Sequence, residues 1–96
     1  MSEFTPKRIG SVLQAAIDEM GARRKINEAR VIEAWAHMVG TSLNRVTDSA
    51  WVKGDELHLK IRSSTWRQEI HLQRSKWLSR LHEELGEELV TEIVLH

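Results

Sequence analysis

Five histidines, His37, His58, His71, His82 and His96, are the first candidates for acid–base or metal chemistry in this chain. They fall on four different elements, and none are paired as HxH or HxxxH, the spacings that put two imidazoles on one strand or helix face. Cysteine is absent, which removes thiolate metal sites, thiol catalysis and disulfides. Glu83-Glu84 and Glu87-Glu88 recur four residues apart, but acid–base catalysis needs a buried carboxylate, and the pattern around them buries leucines instead. Neither a GxxxxGK[ST] phosphate loop nor a GxSxG nucleophile elbow occurs. The expectation is a protein that is no enzyme and holds no cofactor or metal.

A different chemistry gathers around Trp51. In the hairpin argued below it lies opposite His58, with Lys60 and Arg62 on the same outward parity. An indole beside cationic groups suits stacking on unpaired bases with phosphates held alongside. It equally suits a protein-binding hot spot. A third reading has Trp51 merely cover the sheet, packed on Val94 or on the first helix. All three stay open at the level of sequence.

Charge is zero overall, from 14 basic and 14 acidic residues, and argues against a polybasic nucleic-acid binder. Locally it is polarised. Residues 57–82 carry Lys60, Arg62, Arg67, Arg74, Lys76 and Arg80 against Glu69 alone. Residues 83–96 carry Glu83, Glu84, Glu87, Glu88 and Glu92 with no Lys or Arg. These acids oppose a helix dipole at its C-terminal end. A solvated face and a partner-facing one both account for such a segment. A second basic group is Arg23-Arg24-Lys25.

The elements that must position these residues follow from periodicity. Thr5 as N-cap and Pro6 at the first helical position start a helix. Ile9, Val12, Leu13, Ala16, Ile17 and Met20 make its apolar stripe, and Gly21 is expected to end it. Arg23-Arg24-Lys25 then forms a short connection. A second helix is expected after Asn27, with Val31, Ile32, Trp35, Met38 and Val39 as its stripe, ending at Gly40. Strands Val46 to Lys53 and Glu56 to Ser63 flank Gly54-Asp55, a type II′ turn signal. This register pairs Val52 with Leu57, Ala50 with Leu59 and Asp48 with Ile61. It turns Leu57, Leu59 and Ile61 toward the core. A long helix from Ser64 to Leu85 follows, capped by Ser64 or Thr65, with Trp66, Ile70, Trp77, Leu78, Leu81 and Leu85 on its apolar face. Arg74 interrupts that stripe and predicts a bend near residues 72–75. Leu89 to His96 is a last strand, parallel to the second by the right-handed crossover rule. The fold class is α+β, a two-layer sandwich in the order α-α-β-β-α-β, with a three-stranded mixed sheet and helices on one face. Residues 1–96 read as one domain. Of the four tryptophans, Trp35, Trp66 and Trp77 fall in helical stripes and read as packing residues.

The pattern Ile9-Gly10-x-Val12-Leu13, then Val31-x-x-x-Trp35-x-x-x-Val39-Gly40, Leu57-x-Leu59-x-Ile61-x-Ser63-Ser64-x-Trp66-x-x-Glu69-Ile70 and Leu85-Gly86-x-x-Leu89-Val90-x-x-Ile93 resembles the DciA family over residues 7–95. Trp35, Gly40, Ser64 and Trp66 carry the likeness and are read as fold-bearing. The resemblance implies a KH-like domain and a bacterial replicative-helicase loader that binds a DnaB-type helicase without hydrolysing ATP. Two departures stand out. No GxxG loop of nucleic-acid-binding KH domains is present, and the chain stops without the basic extension of many members, so it is expected to be a domain-only member.

The resulting expectation is an ATP-independent adaptor in DNA replication that binds the helicase and holds single-stranded DNA weakly. Its candidate contacts are Trp51, His58, Lys60, Arg62, Arg67, Arg74, Lys76 and Arg80, with Arg23, Arg24 and Lys25 as a second group. The alternative is a single-stranded nucleic-acid-binding module with no helicase partner. A homodimer through the open sheet face or its edge strand is a structural alternative. The first residues lack an apolar signal segment and no stretch is long and apolar enough to span a membrane, so the expected location is cytoplasmic.

Overall fold

The computed structural model describes the backbone of residues 6–96 and the side chains of residues 10–96. Its elements are α1 (Pro6–Val39), α2 (Thr41–Arg45), β1 (Thr47–Lys53), β2 (Glu56–Ile61), α3 (Ser64–Leu72), α4 (Arg74–Leu85) and β3 (Glu92–Leu95). The expected α+β class is observed, with a three-stranded mixed sheet in the order β1-β2-β3. β2 pairs antiparallel with β1 and parallel with β3.

The hairpin forms as its alternation requires. Val52 faces Leu57, Ala50 faces Leu59 and Trp51 faces His58. Gly54 has φ +62° and no non-glycine residue described has positive φ, the combination a type II′ turn demands. One pairing differs. A register shift between Thr47 and Ser49 puts Thr47, not Asp48, opposite Ile61. The extra residue frees Asp48, whose carboxylate takes the Arg62 Nε–H at 2.7 Å.

The first helix also differs from expectation. α1 runs unbroken through Gly21 and the Arg23-Arg24-Lys25 segment. Gly21 keeps a negative φ and so does not act as a left-handed cap. An interior glycine costs about 1 kcal/mol; the alanines and basic residues after it are strong helix formers and no proline follows. Asn27 caps nothing: its side-chain oxygen accepts from Arg30 Nη1 at 3.2 Å. The Thr5 cap and the Ile9 side chain lie outside the described residues. Gly40 does end the helix, at φ +82° and ψ −176°, a region open essentially to glycine alone. The expected turn after it is the short helix α2, which drives Leu43 into the core.

The long helix bends where its stripe lapses. Gln73 separates α3 from α4 at φ −116°, yet its N–H still reaches the Glu69 carbonyl at 3.2 Å. The cap is one residue earlier than expected: the Ser63 hydroxyl accepts from the Trp66 N–H at 3.2 Å, so Ser64 is already helical. Gly86, at φ +77°, closes α4 in the left-handed cap. β3 is shorter than expected, because the chain before it dips inward to bury Val90. Asp55 of the hairpin turn holds that approach through Thr91, with N–H to carbonyl at 2.8 Å and hydroxyl to carboxylate at 3.0 Å.

The core is Val31, Trp35, Leu43, Leu57, Leu59, Ile61, Ile70, Leu81, Val90 and Ile93, all essentially inaccessible. It lies between one sheet face and the helices. Trp35 stacks obliquely on half-buried Trp77 at 5.6 Å, and Trp66 is half-buried at the core's rim. α4 is pinned to α1 through its acidic end: Glu84 meets His37 at 2.6 Å and Glu87 meets Arg30 at 3.0 Å. Arg30 also donates to the Leu85 carbonyl at 3.3 Å, satisfying a terminal acceptor of α4. Part of the acidic segment therefore has an internal use, which explains carboxylates at an end where the dipole disfavours them.

Candidate interaction surface

Strand alternation sends Trp51, His58, Lys60 and Val94 to the sheet face opposite the core, as expected. Trp51 does not pack on α1. Its ring stacks on His58 at 5.3 Å and 15°, and on His96 at 5.1 Å and 29°. The two imidazoles lie nearly in one plane, 21° apart, with His58 Nδ1 and His96 Nε2 at 2.9 Å. His58 Nε2 faces Glu56 Oε1 at 3.2 Å. With neutral rings one arrangement satisfies both contacts: His58 Nε2–H donates to the carboxylate, and His96 Nε2–H donates to His58 Nδ1. The result is an aromatic platform in which Trp51 is 38% exposed, His96 is exposed beside it and His58 is half-buried.

His96 was not among the expected contacts. The available signal was parity, since positions 94 and 96 share the outward side of β3. Its backbone extends the ladder, the N–H reaching the Leu59 carbonyl at 2.9 Å.

The expected basic contacts separate into distinct places. Lys60 stands exposed on the platform face, with no hydrogen bond or ion pair among the described residues. Arg62 is held at the edge of that face by Asp48 and by the Arg45 carbonyl, the latter at 2.7 Å, so it braces the β1 bulge. Arg67 donates to the Ile61 carbonyl and ties α3 to the end of β2. Arg80 lies over the Trp77 ring at 4.9 Å. Arg74 and Lys76 are exposed at the start of α4. Arg23, Arg24 and Lys25 lie on the part of α1 that leaves the body of the molecule; Arg23 makes an exposed pair with Glu19 at 3.4 Å. The structure thus brings together Trp51, His58, Lys60 and, at the edge, Arg62, and places the other basic residues on α1, α3 and α4. Trp35, Gly40 and Trp66 sit in or around the core, and Ser64 opens α3.

Among the described residues, no group of three or more His, Asp or Glu side chains is placed to hold a metal ion. No described helix is long and apolar enough to cross a membrane. Fold and surface together define an α+β domain that offers an open sheet face bearing an aromatic platform and an exposed lysine. The chain belongs to the DciA family: the family model described as "Dna[CI] antecedent, DciA" matches residues 8–95, nearly the whole chain. This family is related to loaders of the DnaB helicase, which supports a role associated with replication. No individual curated protein matches the sequence.

Proposed function

We propose that this protein is a non-enzymatic adaptor of DNA replication that binds the replicative DnaB-type helicase and assists its loading onto DNA without hydrolysing ATP. The observation that carries the reading is the family match across residues 8–95. The sheet face supplies a contact surface. Trp51 is a rigid anchor already ordered by His58 and His96, so little side-chain entropy is lost when a partner covers it. The action belongs in the cytoplasm, where the helicase meets DNA.

The test is direct binding to the purified cognate helicase, with and without single-stranded DNA. Wild-type protein is expected to form a complex in the absence of ATP, and Trp51→Ala to weaken it at least tenfold while unfolding like wild type. A helicase preparation that retains no wild-type protein overturns the proposal.

The stacked rings beside Lys60 also favour a second reading, a weak single-stranded nucleic-acid site on the same face. Oligonucleotide binding should then fall with salt at a slope reporting only a few phosphates, and should drop in Trp51→Ala and Lys60→Glu. Absence of binding at low salt removes this reading.

A further inference from the structure

Two imidazoles meet head-on beside Trp51. The His58 and His96 ring centroids are 5.2 Å apart, while His58 Nδ1 and His96 Nε2 are 2.9 Å apart. The difference is about one ring width, so both nitrogens lie on the line joining the rings and point at each other. A zinc ion would need about 2.0–2.1 Å on each side. Head-on nitrogens at 2.9 Å leave no room for it and suit a shared proton.

The strand register sets the charges around the pair. His96 lies opposite Lys60, because its N–H reaches the Leu59 carbonyl and its own carbonyl accepts from the Ile61 N–H. Lys60 is exposed and outward-facing. At the other end Glu56 Oε1 is 3.2 Å from His58 Nε2. Glu56 stands in register between Lys53 of β1 and Glu92 of β3, both exposed on the same outward parity. At the edge of the face the Asp48 carboxylate is engaged by Arg62 at 2.7 Å. The helices lie on the opposite face of the sheet. The potential along the pair therefore runs one way, negative at the His58 end and positive at the His96 end.

The number of protons the pair can hold follows from its hydrogen bonds. In the neutral pair His58 donates Nε2–H to Glu56 and accepts the His96 Nε2–H at Nδ1. One lone pair is left over, on His96 Nδ1, which has no partner among the described residues and belongs to an exposed ring. An added proton binds there. The Nε2 proton of His96 then crosses to His58 Nδ1, and the charge comes to rest on His58, against the Glu56 carboxylate. Both contacts survive, with donor and acceptor exchanged between the rings. A second proton has only His96 Nε2 to bind, where it faces the His58 Nδ1–H and breaks the contact. We propose that Glu56, His58 and His96 form a one-proton switch: a proton taken up at the exposed Nδ1 of His96 leaves its charge on His58 and turns that nitrogen from a hydrogen-bond acceptor into a donor, with the Trp51 stack intact. A partner group resting on Trp51 meets an acceptor before the step and a donor, beside Lys60, after it. The switch stands on the geometry of the rings and is independent of the helicase reading.

Long-range proton–nitrogen NMR on the full chain, taken from about pH 8 down to about pH 4, reads the tautomer of each ring. His96 is expected in the Nε2–H form at the start. After the first step His58 should carry a proton on both nitrogens and His96 should be the neutral Nδ1–H form, with nuclear Overhauser contacts from Trp51 to both rings kept. After the second step the Trp51–His96 contacts should be lost while the methyl shifts of buried Leu57 and Leu81 stay native. In Glu56→Gln the first charge should no longer be confined to His58. His58→Phe keeps a ring against Trp51 and removes the relay, so His96 should take its proton onto its own ring. Where a variant does not fold, the wild-type titration alone decides. A wild-type protein in which His96 is the first ring to carry two protons, or in which the Trp51 contacts are lost with the first proton, overturns the proposal. So does a folded Glu56→Gln protein whose first charge still rests on His58 alone.

Discussion

Ile17 and Trp35 lie on the same side of one helix, five turns apart, and a pair of alanine substitutions measures where the body of the molecule stops. Trp35 is fully buried against Trp77 and the sheet. Replacing a buried tryptophan by alanine costs about 3–5 kcal/mol. Its Nε1–H is buried with no hydrogen-bond acceptor, a desolvation cost of about 1–3 kcal/mol that the substitution removes. The net for Trp35→Ala should therefore fall near the low end, about 3 kcal/mol. Ile17 is 60% exposed, so truncation forfeits under half of the roughly 1.5–3 kcal/mol that full burial of an isoleucine contributes. Alanine's higher helix propensity recovers about 0.4 kcal/mol. Ile17→Ala should stay within about 0.5 kcal/mol of wild type. Urea unfolding followed by far-ultraviolet circular dichroism at low protein concentration reads both values, with the slope unchanged in each. A loss above about 1.5 kcal/mol for Ile17→Ala would show this part of α1 packed in solution and refute the reasoning. A loss below about 1 kcal/mol for Trp35→Ala would refute the assignment of the core.

Other substitutions probe the joints of the fold. Gly40→Ala forces a side chain into a glycine-only region and should cost about 1–3 kcal/mol by the same denaturation assay. Ser63→Ala removes the α3 cap and should cost about 1 kcal/mol, whereas Ser64→Ala should be nearly silent; the reverse order would move the cap back to Ser64. Arg30→Ala loses Asn27, Glu87 and the Leu85 carbonyl together, and should lower the melting temperature measurably by calorimetry while leaving the circular dichroism spectrum unchanged.

The candidate surface was partly legible before the fold. The period-two pattern of β2, with Leu57, Leu59 and Ile61 on one side, placed His58 and Lys60 on the other, and the hairpin turn then put Trp51 opposite His58. These are local consequences of pleat and turn. His96 comes from the far end of the chain, and its place beside Trp51 depends on how β3 pairs with β2. Arg62 and Arg67 read as free cations in a list of charges. Both are committed to backbone carbonyls, a partner that carries no signature in the side-chain sequence.

Local chemistry was enough to determine the α+β order, the Gly54 turn, the bend at Gln73, the parallel last strand and the glycine ends at Gly40 and Gly86. Each rests on interactions between residues a few positions apart, or on the chirality of the crossover. The tertiary structure alone decided how α1 is used. Its two apolar stripes, Val12 to Met20 and Val31 to Met38, share one face of the helix with Arg24, Asn27 and Glu28 between them, and periodicity records that a face is apolar without recording what lies against it. Val31 and Trp35 meet the sheet and the other helices, while Leu13 and Ile17 meet solvent, because the rest of the chain is too small to reach them. Gly21 was read as the end of a helix because a glycine directly follows Met20, the last residue of the first stripe. It is crossed because nothing in the body required the chain to turn there.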